Sequence, residues 1–133
     1  MFNKKKQPPI KSLIAEGSQI DGNFSFADGL RIDGAIVGNL CAKPDLASIL
    51  VISETASVTG EIHADHIIIN GTVKGSVHAR VMLELQPKAR IQGDVHYTAL
   101  EMHQGALIAG QLGPLVGVGA EEKPILKLAA NNA

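Results

Sequence analysis

ASVTGEIHADHIIINGTVKGSV, residues 56–77, states one motif twice. Each copy runs small residue, any, β-branched apolar, any, Gly, any, apolar: ASVTGEI at 56–62, then GTVKGSV at 71–77. Val58, Gly60, Ile62 and Ala64 alternate with polar neighbours at period two, which is strand behaviour. Outward from this stretch the motif recurs as SQIDGNF (18–24), GAIVGNL (34–40), ARIQGDV (89–95) and ALIAGQL (106–112). Gly22, Gly38, Gly60, Gly75, Gly93 and Gly110 anchor the copies, at spacings of 16, 22, 15, 18 and 17. The long spacing holds the loop-like insertion Ala42-Lys43-Pro44-Asp45-Leu46.

Three columns follow when the copies are aligned on glycine. Two residues before it lie Ile20, Ile36, Val58, Val73, Ile91 and Ile108, all β-branched. Two after it lie Phe24, Leu40, Ile62, Val77, Val95 and Leu112, all apolar. Four before it lie Ser18, Gly34, Ala56, Gly71, Ala89 and Ala106, all small. A second apolar pair precedes most copies: Leu30/Ile32, Leu50/Ile52, Ile67/Ile69, Leu83/Leu85 and Leu100/Met102. The period is too short for a helical-hairpin repeat or a propeller blade and suits a β-solenoid, with turns stacked about 4.8 Å apart. The expectation is an all-β solenoid of about six turns, roughly 29 Å long. Its β-branched and apolar columns point inward, its glycines mark corners, and Asp21, Thr59, Lys74 and Gln92 face water.

Composition fits this reading. Of 133 residues 45% are hydrophobic, yet there is no Trp, one Tyr and three Phe, so small and β-branched side chains fill the core. The net charge of −1 and the lack of a basic face with interleaved aromatics argue against a nucleic-acid partner. A single cysteine, Cys41, excludes an internal disulfide and fits a reducing compartment. It reads as a small buried or half-buried residue at the start of the insertion. No long apolar run and no signal-peptide pattern is present, so the expected location is cytoplasmic. The folded domain is expected at 17–112, between a basic tail at 1–16 and a flexible tail at 113–133. Within that last stretch Ile125, Leu126 and Leu128 form a weak apolar cluster.

A solenoid exposes unpaired backbone and open core at each end, and natural ones carry caps. The sequence offers no convincing cap. Ile20, Phe24 and Phe26 at one end and Leu107, Ile108 and Leu112 at the other are therefore expected to form contacts between copies of the chain. Identical ends pairing about two-fold axes give a filament without polarity. There is no G-x-x-x-x-G-K-[ST] loop, so no nucleotide is expected.

At this point the residues carry a resemblance. The rungs IDGNF, LRIDGAIVGNL, IIINGTVKGSV and IQGDV, and the start MFNKKK, resemble the bactofilins, bacterial polymer-forming cytoskeletal proteins. The resemblance implies a single-stranded, right-handed, three-sided parallel β-helix that polymerises without nucleotide. It also implies association with the inner face of the cytoplasmic membrane and a scaffolding role in cell shape or the placement of cell-wall (peptidoglycan) enzymes. Met1, Phe2, Lys4, Lys5 and Lys6 match the family's membrane-targeting start. One departure is visible: family members often carry an aromatic residue at the C-terminal end of the helix, and this chain has no Phe after Phe26.

The basic start has its own physical account. Burying Phe2 at a headgroup boundary contributes about 1.5–3 kcal/mol. Each nearby lysine adds about 1 kcal/mol at an anionic leaflet. A filament presents many such weak anchors together, so polymerisation and membrane binding reinforce each other. Pro8-Pro9 reads as a stiff spacer.

The histidines raise the competing reading, a hexapeptide-repeat enzyme such as a trimeric acyltransferase or a γ-type carbonic anhydrase. His63, His78 and His96 each lie three residues after a motif glycine and are expected to stack as one outward column. A metal ion needs ligands that converge to about 2 Å, and a parallel column converges poorly. The spacings also lack a six-residue rhythm. The column is read as a surface ladder sensitive to acid, without metal or cofactor. His66 and His103 fall outside it. Asp21, Asp33, Glu54, Glu61 and Asp94 read as solvated positions, not acid/base pairs. No catalytic residue is expected.

Overall fold

The computed structural model describes residues 8–114. Among them there is no helix, and sixteen short strands follow one another around a common axis. They make six turns. The first is β1 (Ile10–Ile14), β2 (Gln19–Asp21) and β3 (Phe24–Phe26). The second is β4 (Asp28–Ile32), β5 (Ala35–Val37) and β6 (Leu40–Ala42). The third is β7 (Ser48–Ile52), β8 (Ser57–Thr59) and the start of β9 (Ile62–Ile69). The fourth is the rest of β9, β10 (Thr72–Lys74) and the start of β11 (Val77–Leu85). The fifth is the rest of β11, β12 (Arg90–Gln92) and β13 (Val95–Tyr97). The sixth is β14 (Leu100–Met102), β15 (Leu107–Ala109) and β16 (Leu112–Pro114).

Every pairing is parallel and joins a strand to its counterpart one turn away. Ladder one is β2-β5-β8-β10-β12-β15. Ladder two is β3, β6, β9, β11, β13 and β16, and ladder three is β1, β4, β7, β9, β11 and β14. β9 and β11 bend through the corner between ladders two and three and serve both.

The three inward sets of side chains meet along the axis. Ile36, Val58, Val73 and Ile91 of ladder one are buried, as are Leu40, Ile62, Val77 and Val95 of ladder two. Ladder three contributes Leu30/Ile32, Leu50/Ile52, Ile67/Ile69 and Leu83/Leu85, all fully buried. A second inward column of ladder two reads Phe26, Ala42, Ala64, Ala79, Tyr97, with aromatics toward both ends and alanines between.

The corner after ladder one is set by glycine. Gly75 has φ +146°, and a Cβ placed on it would land on the carbonyl oxygen of Gly60 one turn earlier. Gly38, Gly60, Gly93 and Gly110 meet the preceding glycine in the same way. Only glycine permits both the positive φ and this close backbone approach. The backbone polar groups are still satisfied: Gly60 N–H donates to Lys74 O at 2.9 Å and Gly75 N–H to Gln92 O at 2.9 Å. The following residue adds a side-chain ladder, with Asn23 Oδ1 accepting from Asn39 N–H (3.0 Å) and Asn39 Oδ1 from Glu61 N–H (2.9 Å).

The corner between ladders two and three is polar. Ser48 and Asp65 exchange two backbone–side-chain hydrogen bonds of 3.2 and 3.0 Å. Arg80 Nε then donates to Asp65 Oδ1 at 2.7 Å, and Thr98 Oγ1 donates to Arg80 O at 2.8 Å. The insertion leaves at this corner: the chain departs after Ala42, runs through residues 43–47 and rejoins at Ser48, while Leu40 still faces Ile62 and Leu30 faces Leu50.

The structure differs from the sequence reading at two places. Strand structure begins at Ile10, within the stretch assigned to the basic tail. β1 takes the place of the apolar pair missing before the first motif copy, with Ser12 facing Leu30 and Ile14 facing Ile32. Ser12 breaks the apolar pattern and only Ile14 is buried in this strand, so hydropathy carries little signal there. Cys41 is exposed, not buried. It lies in β6 before the insertion, and strand alternation turns it outward between the inward Leu40 and Ala42.

Candidate functional site: the two ends and the outer columns

Each ladder has a first and a last strand with a neighbour on one side only. At the N-terminal end these are β1, β2 and β3. Ile14 and Phe26 are buried there, and Ile20 and Phe24 are half-buried against the core. Lys11 Nζ reaches Asp28 Oδ2 at 3.0 Å, fastening β1 to β4. Asp28 adopts φ +63°, a left-handed conformation uncommon for a residue with a side chain, at the corner that leads into β4.

At the C-terminal end the last strands are β14, β15 and β16. Leu100 is buried, Met102 and Ile108 are half-buried against the core, and Leu112 is 39% exposed at the end of the column it shares with Val95. Leu107 is 59% exposed for another reason: it faces Arg90 on the outer side of ladder one, beside the inward Ile108. Arg90, Ile91, Gln92, Leu107, Ile108 and Ala109 line a shallow depression of about 220 Å³ at this end.

The structure therefore brings Ile20, Phe24 and Phe26 together at one end, and Ile108 and Leu112 at the other, while Leu107 sits on the flank. Sequence reasoning missed Met102 as an end residue and Tyr97 as an aromatic near the C-terminal end. Tyr97 is buried one turn from that end. Its hydroxyl has no hydrogen-bond partner among the described residues, and burial pushes its pKa above the ordinary tyrosine value. The alternation Val95-His96-Tyr97 carried the signal for its inward position. Met1, Phe2, Lys4, Lys5 and Lys6 lie outside the described residues.

Among the described residues no further strand covers either end of this parallel six-turn solenoid. The sequence profile of the bactofilins, described as polymer-forming cytoskeletal, matches residues 12–113. The chain belongs to the bactofilin family. The matched span runs from within β1 to within β16 and so covers the whole solenoid. The protein is also similar to "Bactofilin BacO" of Myxococcus xanthus (strain DK1622), at 24% identity over 111 residues, covering 84% of this chain and 85% of that relative. No solved structure matches. The outer sides of the ladders carry columns of polar residues.

On the outer side of ladder two, His63, His78 and His96 face one another in register. Their rings stack, with centroids 4.2 and 4.7 Å apart and planes within 4° and 8° of parallel. Glu61 Oε1 lies 3.2 Å from His63 Nε2. His78, in the middle, is held below its ordinary pKa by burial and by the neighbouring charges of His63 and His96, with Glu61 opposing. On the outer side of ladder three Glu84 and Glu101 are neighbours in register, and His103 Nε2 lies 3.3 and 3.2 Å from their carboxylates. Among the other acidic residues, Asp33 pairs with Arg31 at 3.0 Å and is held below the usual carboxylate range, chiefly by a hydrogen bond from Ser53. Glu54 pairs with Lys88 at 3.2 Å.

Proposed function

We propose that this bactofilin polymerises end to end, without nucleotide, into non-polar filaments on the inner face of the cytoplasmic membrane. The filament is read as a scaffold for cell shape or for the placement of cell-wall enzymes, not as an enzyme. Membership of a polymer-forming cytoskeletal family supports self-assembly. The observation that carries the end-to-end mode is the state of the two terminal turns, where Ile20 and Phe24, and Met102, Ile108 and Leu112, remain partly uncovered while their counterparts in the middle turns are fully buried. Stacking a second copy there buries them and pairs the unshared backbone edges. Like ends meeting about two-fold axes give contacts of two alternating kinds and no overall polarity.

The membrane reading rests on the sequence MFNKKK, with Phe2 as the inserted group and Lys4, Lys5 and Lys6 as the electrostatic anchors. Negative-stain electron microscopy of the purified protein, with no nucleotide added, should show filaments about one solenoid wide. Compact trimers would instead favour the hexapeptide-enzyme reading. A Phe2→Ser variant with a fluorescent tag should still polymerise but leave the membrane; undiminished membrane signal would sink the anchoring claim.

A further inference from the structure

We propose that Glu61, His63 and His78 form a binding site for a borderline-soft divalent cation of the Zn2+ class, on the outer side of ladder two. The three residues each bring one donor atom to within 4.8 Å of the others. They come from two successive turns: Glu61 and His63 flank Ile62 in the third, and His78 faces His63 from the fourth. Alternation makes this unavoidable once Ile62 and Val77 point inward, because the residues on either side of an inward position face the same outer surface.

A column of parallel imidazoles alone offers lone pairs that do not meet. A bound ion therefore needs one ring to turn out of the stack, and a carboxylate beside it helps to draw the ion there. Glu61 already reaches across to His63 Nε2 at 3.2 Å, so a third donor stands on the flank of the stack. In tetrahedral zinc sites nitrogen and oxygen ligands lie about 2.0–2.2 Å from the metal, so donors that are within 4.8 Å of one another must close to about 3.3–3.6 Å. His63 and Glu61 are solvent-accessible and free to make that adjustment. Two imidazoles and one carboxylate suit zinc and its neighbours better than Mg2+ or Ca2+, which take oxygen ligands. Such a set leaves a coordination position open to water.

His96 stacks below His78 but lies beyond the carboxylate, so it is not counted as a ligand. Cys41 faces His63 from the turn above and is not part of the cluster. The bound ion would clamp the third turn to the fourth, in the most regular part of the solenoid.

Equilibrium dialysis of the full chain against Zn2+ tests the site, with Co2+ absorption as a second readout. Saturable Zn2+ binding is expected, weakened at least tenfold by His63→Gln and by His78→Gln, since even outer-shell changes cost zinc sites 10–100-fold. Circular dichroism confirms that each variant retains its β-structure. Cys41→Ser should bind as tightly as the parent, and the Co2+ spectrum should lack a thiolate charge-transfer band. No Zn2+ binding, unchanged binding in both histidine variants, or loss of binding in Cys41→Ser would each overturn the proposal. Filament formation is scored separately, so failure here leaves the assembly reading standing.

Discussion

The middle turns and the end turns are built from one motif yet do different work. In the third and fourth turns Leu50, Val58, Ile62, Ile67, Val73 and Val77 are all fully buried. Each has like residues above and below, and each glycine corner is pressed against the corner before it. In the first and last turns the same columns hold Ile20, Phe24, Ile108 and Leu112, which have a neighbour on one side only. Gly22, the first of its column, has open space where a Cβ would stand. The same residue type is thus closely packed in the middle and has open space beside it at the ends.

Glycine gives the hardest test of that contrast. Gly75→Val forces a branched side chain into the Gly60 carbonyl at φ +146°. It should cost about 4 kcal/mol or more, enough to abolish the folded state, read as loss of the β signal in circular dichroism. Gly22→Ala meets no such wall and should cost about 1–3 kcal/mol, from its positive φ alone. Equal effects of the two would erase the distinction between middle and end.

The next test works in the other direction. Ile108→Lys and Phe24→Lys place a charge on an end surface, where solvent still reaches the residue. The melting transition should persist while pelletable filament falls to background in high-speed sedimentation. The same change at Val73 should destroy the fold itself, because an unpaired buried ammonium costs several kcal/mol.

Tyr97 lies between the two regimes. Tyr97→Phe removes a buried hydroxyl that has no partner among the described residues. It should raise stability by about 1 kcal/mol in a denaturant titration of unassembled protein, since an unmet buried polar group costs about 1–3 kcal/mol. A loss of stability would mean that the hydroxyl bonds something at the C-terminal end.

The smallest effect belongs to the histidine ladder and appears only in acid. Because the fold lowers the His78 pKa, protons bind the unfolded chain more readily. Stability then rises with pH in that range. The contribution is complete above the ordinary histidine value of about 6.5 and fades as pH falls through it toward the lowered value. Melting in the presence of a chelator should decline with acid more steeply for the parent than for His63→Gln/His78→Gln/His96→Gln. Parallel pH curves would show that the stack carries no such penalty.

Much of this architecture was legible in the sequence, because a narrow solenoid core demands a particular residue type at each position. Ile36, Val58 and Val73 announce ladder one, and Gly38, Gly60 and Gly75 announce the corner, since no other residue fits there. β1 was hidden because backbone pairing to Gly29, Leu30, Arg31 and Ile32 holds it, while four of its five side chains are exposed. Cys41 was misplaced by weighing residue type over alternation. The histidine stack was readable from spacing, but Glu61 beside it was read only as a solvated position, because an outward carboxylate looks like any other until its reach to a neighbour is measured. The ends were readable as apolar, and alternation beside the inward Ile108 already turns Leu107 outward, while Met102 closes the last apolar pair, so both were misweighed rather than hidden.

The detour through residues 43–47 has a practical consequence. The chain leaves the stack after Ala42 and returns at Ser48 without shifting the pairing of the turns on either side. Lys43 N–H holds one foot of the detour to Phe26 O at 2.9 Å, and Leu46 at its far side is already exposed. Extra length there is absorbed as loop rather than transmitted as register. An epitope or a small fluorescent domain spliced between Pro44 and Asp45 would ride on the flank of the solenoid, away from its first and last turns.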